Sequence, residues 1–212
     1  MAVVVSTTIE AAPEDEVGSE QLQGLCGLPE SNSRIQILFK KLKLQLSSSQ
    51  RDETFNITTG IIVADRRRTV ETFNYLSHDP PIEFIFKKIT APGESNSESY
   101  LQSIRIGYPG DGYNFKLAVT KGMSATSRSD EQEKLLRVEF KKAGSLYPFD
   151  IKPVMSPDEI VRMLKRAYFS EIRKIGSDGT GSIDFSADGP DSPFPLVVWF
   201  YQGNVCGIDM KK

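Results

Sequence analysis

Beyond residue 33 the chain shows a repeated alternation of apolar residues with polar or small ones. A period of two places every second side chain on the same face of an extended chain, so the pattern predicts half-buried β-strands. The glycine-rich turn at residues 109–112 also predicts a hairpin between the segments on either side of it. The segments that carry the alternation are residues 55–63, 82–86, 104–108, 113–119, 136–140 and 147–151.

Two further strands are predicted near the C-terminus. Residues 196–201 form a continuous apolar run, which is typical of a central strand covered on both faces. Gly203 and Asn204 follow this run, and the pair predicts a turn that brings residues 205–210 back alongside it.

One helix has strong start and stop signals. Ser156 is a suitable N-cap, Pro157 fits the first helical position, and Glu159 completes a capping box. Gly176 is a natural stop, so we predict a helix over residues 156–175. Its apolar stripe consists of Ile160, Leu164, Tyr168 and Ile172. A second, short helix is a candidate over residues 69–77.

Residues 34–46 fit two alternatives. A strand with a β-bulge at Lys40 and Lys41 places six apolar residues on consistent faces, because one extra residue reverses the alternation. An amphipathic helix over the same segment places five. We favour the strand on this comparison.

These elements predict a β-rich fold of the α+β class. About nine short, mostly antiparallel strands with one well-capped helix form a single globular domain over residues 34–212. Residues 1–33 carry six acidic and no basic residues, and we expect a disordered acidic arm there. The remainder has 26 basic and 22 acidic residues and is therefore mildly basic.

Composition excludes several classes of protein. The chain has 212 residues with 39% hydrophobic and 25% charged residues, values typical of a globular protein. No segment reaches the roughly 18 to 20 apolar residues of a membrane span, so we predict no integral membrane insertion. Two cysteines indicate no disulfide framework, and the start of the chain lacks the features of a secretory signal. We therefore expect an intracellular protein.

Candidate chemistry is sparse. Residues 178–185 look like the middle of an EF-hand calcium loop, but Gly176 and Ala187 occupy the positions of two essential oxygen ligands. We predict a glycine-rich turn that enters a strand at Ile183, and no metal site. His78 is the only histidine, and no nucleophile elbow or phosphate-binding loop accompanies it. We predict neither catalytic residues nor a cofactor.

The most distinctive feature is a set of basic clusters. The sequence Phe-Lys-Lys closes three apolar runs, three arginines follow one another, and the predicted helix adds further cations. If these clusters converge on one surface they attract phosphates, and if they scatter they protect strand edges from aggregation. The candidate anion-binding residues are Lys40, Lys41, Arg66, Arg67, Arg68, Lys87, Lys88, Lys141, Lys142, Arg162, Lys165 and Arg166.

Three functional hypotheses follow. The first is a non-catalytic interaction or assembly protein that binds a protein partner or a second copy of itself. The second is a protein that docks on RNA or an anionic membrane, with a layout similar to that of small viral matrix proteins. The third is an enzyme with dispersed carboxylates, for which the sequence indicates no particular residue.

Overall fold

The structure is a computed structural model that describes eight stretches of the chain. These are residues 17–55, 67–91, 93–94, 97–107, 143–177, 180–187, 194–201 and 203–212. No helix within these stretches is both long and apolar enough to cross a bilayer.

The described residues form three α-helices, one short 3-10 helix and eight strands. The helices are α1 (Ser19–Leu22), α2 (Ser33–Lys41) and α3 (Pro157–Arg166), and the 3-10 helix covers Gly144–Leu146. The first four strands are β1 (Gln45–Phe55), β2 (Arg67–His78), β3 (Pro81–Thr90) and β4 (Ser99–Ile106). The last four are β5 (Phe169–Ser177), β6 (Thr180–Ala187), β7 (Leu196–Tyr201) and β8 (Asn204–Lys211).

All eight strands belong to one antiparallel sheet with the order β1-β2-β3-β4-β8-β7-β6-β5. Each half of the sheet is a meander of four strands, and among the described residues the helix directly before it is α2 in the first half and α3 in the second. The two halves meet where β4 pairs with β8. The prediction of a single, β-rich α+β domain is confirmed, and its two halves have the same order of elements.

The hydrophobic core lies between the two main helices and one face of the sheet. Directly paired residues such as Phe84 with Ile104, and Ile104 with Met210, continue the same apolar face from one half to the other. We call this the helix face and the opposite side the second face. The helix side chains buried in this core are Ile35 and Leu38 of α2, and Ile160 and Leu164 of α3.

The start of α3 is confirmed and its end is not. Ser156 Oγ accepts from the Glu159 N–H, and the Glu159 carboxylate accepts from the Ser156 N–H at 2.8 Å. Ser156 Oγ also donates to the Glu159 carboxylate at 2.8 Å, and the two hydrogen bonds that this carboxylate accepts lower the pKa of Glu159. The helix ends at Arg166, however, because Tyr168 takes a positive φ of 60° and Phe169 enters the core as the first residue of β5. The predicted helix over residues 156–175 is therefore wrong beyond Arg166.

Gly176 is part of β5 and does not end a helix. It pairs with Gly181 where β5 turns into β6. A Cβ atom on Gly181 would lie 1.9 Å from the Ile175 carbonyl oxygen, so the close approach of the two strands requires glycine there.

Two other predictions are corrected. Residues 34–46 contain helix α2 and not the favoured strand, because the Phe39 ring packs at 4.8 Å from Tyr75 and 5.8 Å from Phe86 on the helix face. Residues 69–77 lie in strand β2 and not in a short helix. Their β-branched and aromatic residues suit a strand that is paired on both sides, with β1 and β3.

Several of the predicted strands are confirmed. Residues 82–86 lie in β3, and the apolar run 196–201 forms β7, all six of whose side chains are buried. The turn at Gly203 leads into β8 as predicted, and Ile183 lies within β6. Residues 147–151 form a turn instead of a strand. The predicted hairpin beyond residue 107, the strand at 136–140 and residues 56–63 lie outside the described residues.

The second half of the predicted acidic arm packs against the sheet. Val17, Leu22 and Leu25 are buried in the core. The N–H of Gly27 donates to the Leu101 carbonyl at 2.7 Å, and the Leu101 N–H donates to the Leu28 carbonyl at 2.9 Å. The folded body therefore begins at residue 17 or earlier, and not at residue 34, while residues 1–16 lie outside the description.

Replacing Leu25 tests this boundary. Leu25→Ala removes a fully buried side chain and should lower the free energy of unfolding by about 2 to 5 kcal/mol. Gln21→Ala is the matched control, because Gln21 belongs to the same segment and is exposed. Urea denaturation followed by circular dichroism measures both. Equal stability of the two variants would contradict the packing of this segment.

Candidate anion-binding surface

The first group of predicted cations lies at the end of α2. Lys40 and Lys41 are exposed in its last turn, where positive charge interacts favourably with the helix dipole. The Asn32 side chain caps the start of the helix by accepting from the Arg34 N–H at 3.0 Å. This cap and the apolar contacts of Phe39 explain why the segment is helical and presents both lysines on its outer side.

Arg34 extends this group and was not predicted. It is exposed in the first turn of α2, and its Nη2 donates to the Gln23 carbonyl at 3.1 Å. Arg34 and Lys41 line an open groove of about 330 Å³ between α1 and α2, which is also lined by the acidic Glu20 and by the exposed Ile37. Lys43, exposed just beyond the helix, adds a fourth cation. Because the segment was predicted as a strand, the sequence did not indicate that these charges share one helix.

The second group lies on α3. Arg162, Lys165 and Arg166 are all exposed on the side of the helix that faces away from the sheet. None of the three forms an ion pair within the part of the chain that the structure describes. The sequence prediction placed them together correctly because they lie within the confirmed part of the helix.

The cations of the strands are divided between the two faces of the sheet. Lys87 alternates with the buried Phe84 and Phe86, so it lies on the second face, as does Arg68 of β2. Lys88 lies on the helix face, where its Nζ is 3.7 Å from the Glu71 carboxylate on the neighbouring strand. These residues do not join the groups on the helices.

The remaining predicted cations are four residues outside or at the border of the described stretches. Arg66, Lys141 and Lys142 lie outside the described residues, and Arg67 is described only as the first residue of β2. Five of the twelve predicted residues therefore lie on the two helices, which pack against the same face of the sheet. With Arg34 and Lys43 they form what we call the basic helix surface: Arg34, Lys40, Lys41, Lys43, Arg162, Lys165 and Arg166.

A charged cluster on the second face joins the two halves of the sheet. Arg105 of β4 lies directly between Glu83 of β3 and Asp209 of β8, with nitrogen–oxygen distances of 3.1 Å and 3.6 Å. Lys211 lies 3.9 Å from the other Asp209 oxygen. Asp209 is fully buried, so its neutralisation by Arg105 is a structural requirement of the junction. The sequence carries no local signal that would pair these residues.

Two buried or partly buried cysteines show no sign of reactivity. Burial and the nearby Asp209 charge raise the pKa of Cys26 to about 12, and burial raises the pKa of Cys206 still further. Both side chains are free thiols. Their thiolate forms are disfavoured at neutral pH, which is the opposite of what a nucleophilic cysteine requires.

Glu30 connects the N-terminal segment to the sheet through hydrogen bonds. Its carboxylate accepts hydrogen bonds from the Tyr75 hydroxyl at 2.8 Å and from Ser99 Oγ, and its N–H donates to the Ser99 carbonyl at 2.9 Å. Burial and this carboxylate raise the pKa of Tyr75 to about 12.

Comparison with family models, with curated proteins and with solved structures finds no match for this chain. Within the described residues, no three His, Cys, Asp or Glu side chains are close enough together to hold a metal ion. The arrangement of charge on the fold is therefore the feature that bears on function.

The raised pKa of Tyr75 predicts a stability effect at alkaline pH. Because the folded-state pKa lies above the unfolded value of about 10, the contribution to stability is fully present below about pH 10. It is lost as the pH rises through about 12. The phenolate absorbance of the native protein minus that of Tyr75→Phe should show one tyrosine titrating near this higher value. Titration of that tyrosine near its ordinary pKa would contradict the contact with Glu30.

Proposed function

We propose that the protein is a non-enzymatic nucleic-acid-binding protein that docks on the phosphate backbone through its basic helix surface. The observation that carries this proposal is that α2 and α3 cover the same face of one sheet and both expose cations on their outer sides. This favours the second of the sequence-based hypotheses, with nucleic acid as the anionic partner.

The charge balance of this surface supports a polyanionic ligand. The two helices and the residue Lys43 together carry seven basic and two acidic residues. Both acids, Asp158 and Glu159, lie in the first turn of α3, and Glu159 is engaged in the capping box. The charged residues in the last turns of both helices are therefore all basic.

The packing of the helices favours nucleic acid over a membrane. An interfacial helix inserts its apolar side into the lipid headgroup region. In α2 and α3 that side is already used against the sheet, where Ile35 and Ile160 are completely buried. What remains outside is mainly charged, with Ile37 as the one large exposed apolar side chain in the described helices. Such a surface suits phosphate contacts better than insertion.

The expected binding is electrostatic and independent of base sequence. Arginine and lysine side chains on the outside of two short helices contact phosphates, and each contact releases bound counterions. Affinity should therefore fall steeply with salt concentration. The logarithm of the binding constant should fall with a slope of about 0.9 per phosphate contact on duplex DNA.

Removal of two helix cations provides the test. We expect Arg162→Gln together with Lys165→Gln to weaken binding to a short fluorescein-labelled duplex at low salt. The slope of the salt dependence should decrease by about 1.8, because about two phosphate contacts are lost. Fluorescence anisotropy at several salt concentrations measures both quantities.

A matched control separates the surface from overall charge. Arg68→Gln with Lys87→Gln removes the same charge from the second face of the sheet and should leave the salt slope unchanged. Equal effects of the two variants would show that only net charge matters. Salt-sensitive binding to vesicles containing phosphatidylserine, with none to duplex or single-stranded nucleic acid, would also overturn the proposal.

A further inference from the structure

Strand β5 forms one edge of the sheet, and most of its residues are exposed. It pairs with β6 on its inner side, and among the described stretches of the chain nothing pairs with its outer side. Every residue of β5 from Ser170 to Lys174 is exposed. Such an edge presents free backbone N–H and carbonyl groups to any further strand of suitable sequence.

Large apolar side chains are also exposed at this edge. Tyr168, just before the strand, is 67% exposed, and Ile172 within it is 65% exposed. Over Gln45–Asp52 the other edge, β1, has one such side chain instead of two. Its residues Gln45–Asp52 are exposed but mostly polar, with Leu46 as their only large apolar side chain. Exposed apolar groups beside unpaired backbone indicate that β5 is the edge suited to association.

A β-bulge in β5 determines which of its side chains share a face. Glu171 pairs with Phe185 of β6, whereas Arg173 pairs with the next residue, Asp184, so Ile172 is the extra residue. Phe185 belongs to the core, so Glu171 lies on the helix face, and so does Lys174, opposite Ile183. Arg173 lies on the second face together with Ser170 and Ile175.

We propose that two copies of the chain associate by antiparallel pairing of their β5 strands. In the register we infer, Glu171 of each copy lies opposite Lys174 of the other, and Ser170 lies opposite Ile175. Both pairs join residues on the same face of the sheet, as direct cross-strand neighbours must be. The symmetry repeats the Glu171–Lys174 attraction twice and brings the exposed Ile172 of each copy against the neighbouring strand.

The bulge also excludes the alternative register centred on Ile172. That register would set Glu171 opposite Arg173, and these two residues lie on different faces of the strand. Charge complementarity and the direction of the side chains therefore select the same pairing.

The resulting dimer would carry both basic helix surfaces on one side. Neighbouring antiparallel strands are related by a two-fold axis perpendicular to the sheet, and this operation preserves the helix face. The molecule already contains one such junction, between β4 and β8. The dimer does not depend on the proposed nucleic-acid binding, although it would double the phosphate-binding area.

Sedimentation velocity over a range of protein concentrations, without nucleic acid, tests the inference. We expect the native protein to form a dimer. Lys174→Glu and Glu171→Lys each turn two attractive pairs into repulsive ones and should weaken dimerisation about ten-fold or more. The double variant with both substitutions reverses both charges and should restore the dimer. This restoration distinguishes cross-strand pairing from a general effect of charge or folding.

Arg51→Glu on β1 is the matched control for Lys174→Glu, because it makes the same change of charge on the other edge strand. It should leave the association constant unchanged. A protein that stays monomeric at every concentration, or a dimer that is weakened by Arg51→Glu but not by Lys174→Glu, would overturn the inference. Neither result bears on nucleic-acid binding, which is measured separately on monomer or dimer.

Discussion

The pairing of β4 with β8 is the interaction on which the rest of the structure depends. Only four residue pairs, from Ser103 with Lys211 to Ile106 with Ile208, join the two four-stranded meanders. On the helix face these pairs continue the apolar core, and on the second face Arg105 neutralises the buried Asp209. Where β8 ends, the Lys212 N–H still bonds to Gln102, and the N-terminal segment pairs with Leu101. Residues from the N-terminal segment and from the C-terminal end of the described chain therefore both contact this junction.

This junction also determines where charge is displayed. Because the antiparallel pairing keeps the same side of the sheet facing the core in both halves, α2 and α3 must lie in one layer. Each helix buries one side against the sheet and exposes the other. Lysine and arginine on those outer sides therefore lie on the same side of the sheet although they are more than a hundred residues apart in the sequence.

The sequence was sufficient to predict those elements for which local sequence signals and strand pairing favour the same secondary structure. The cap at Ser156, the apolar run of β7 and the turn into β8 were predicted from a few residues each and are confirmed. The sequence was insufficient where one segment fits two periodicities, or where pairing with a distant strand determines the secondary structure. Residues 34–46 satisfy both a strand and a helix pattern, and the aromatic contacts of Phe39 with β2 and β3 favour the helix.

Long-range pairing explains the other differences. Ile172 continues the helical spacing of α3, yet the residues around it pair with β6, which no local pattern indicates. The first 33 residues were predicted to be disordered because of their acidic composition, although a few of their apolar side chains enter the core. For the same reason the sequence identified most cations of the basic helix surface individually, but only the fold shows which of them share a layer.

The most direct test of a basic helix surface is a footprint of lysine reactivity. Acetylation rates of individual lysines are measured by mass spectrometry with and without a short DNA duplex. The account predicts that Lys40, Lys41 and Lys165 are protected by the duplex, while Lys87 on the second face reacts at its unchanged rate. Protection of Lys87 with no protection of the helix lysines would contradict it.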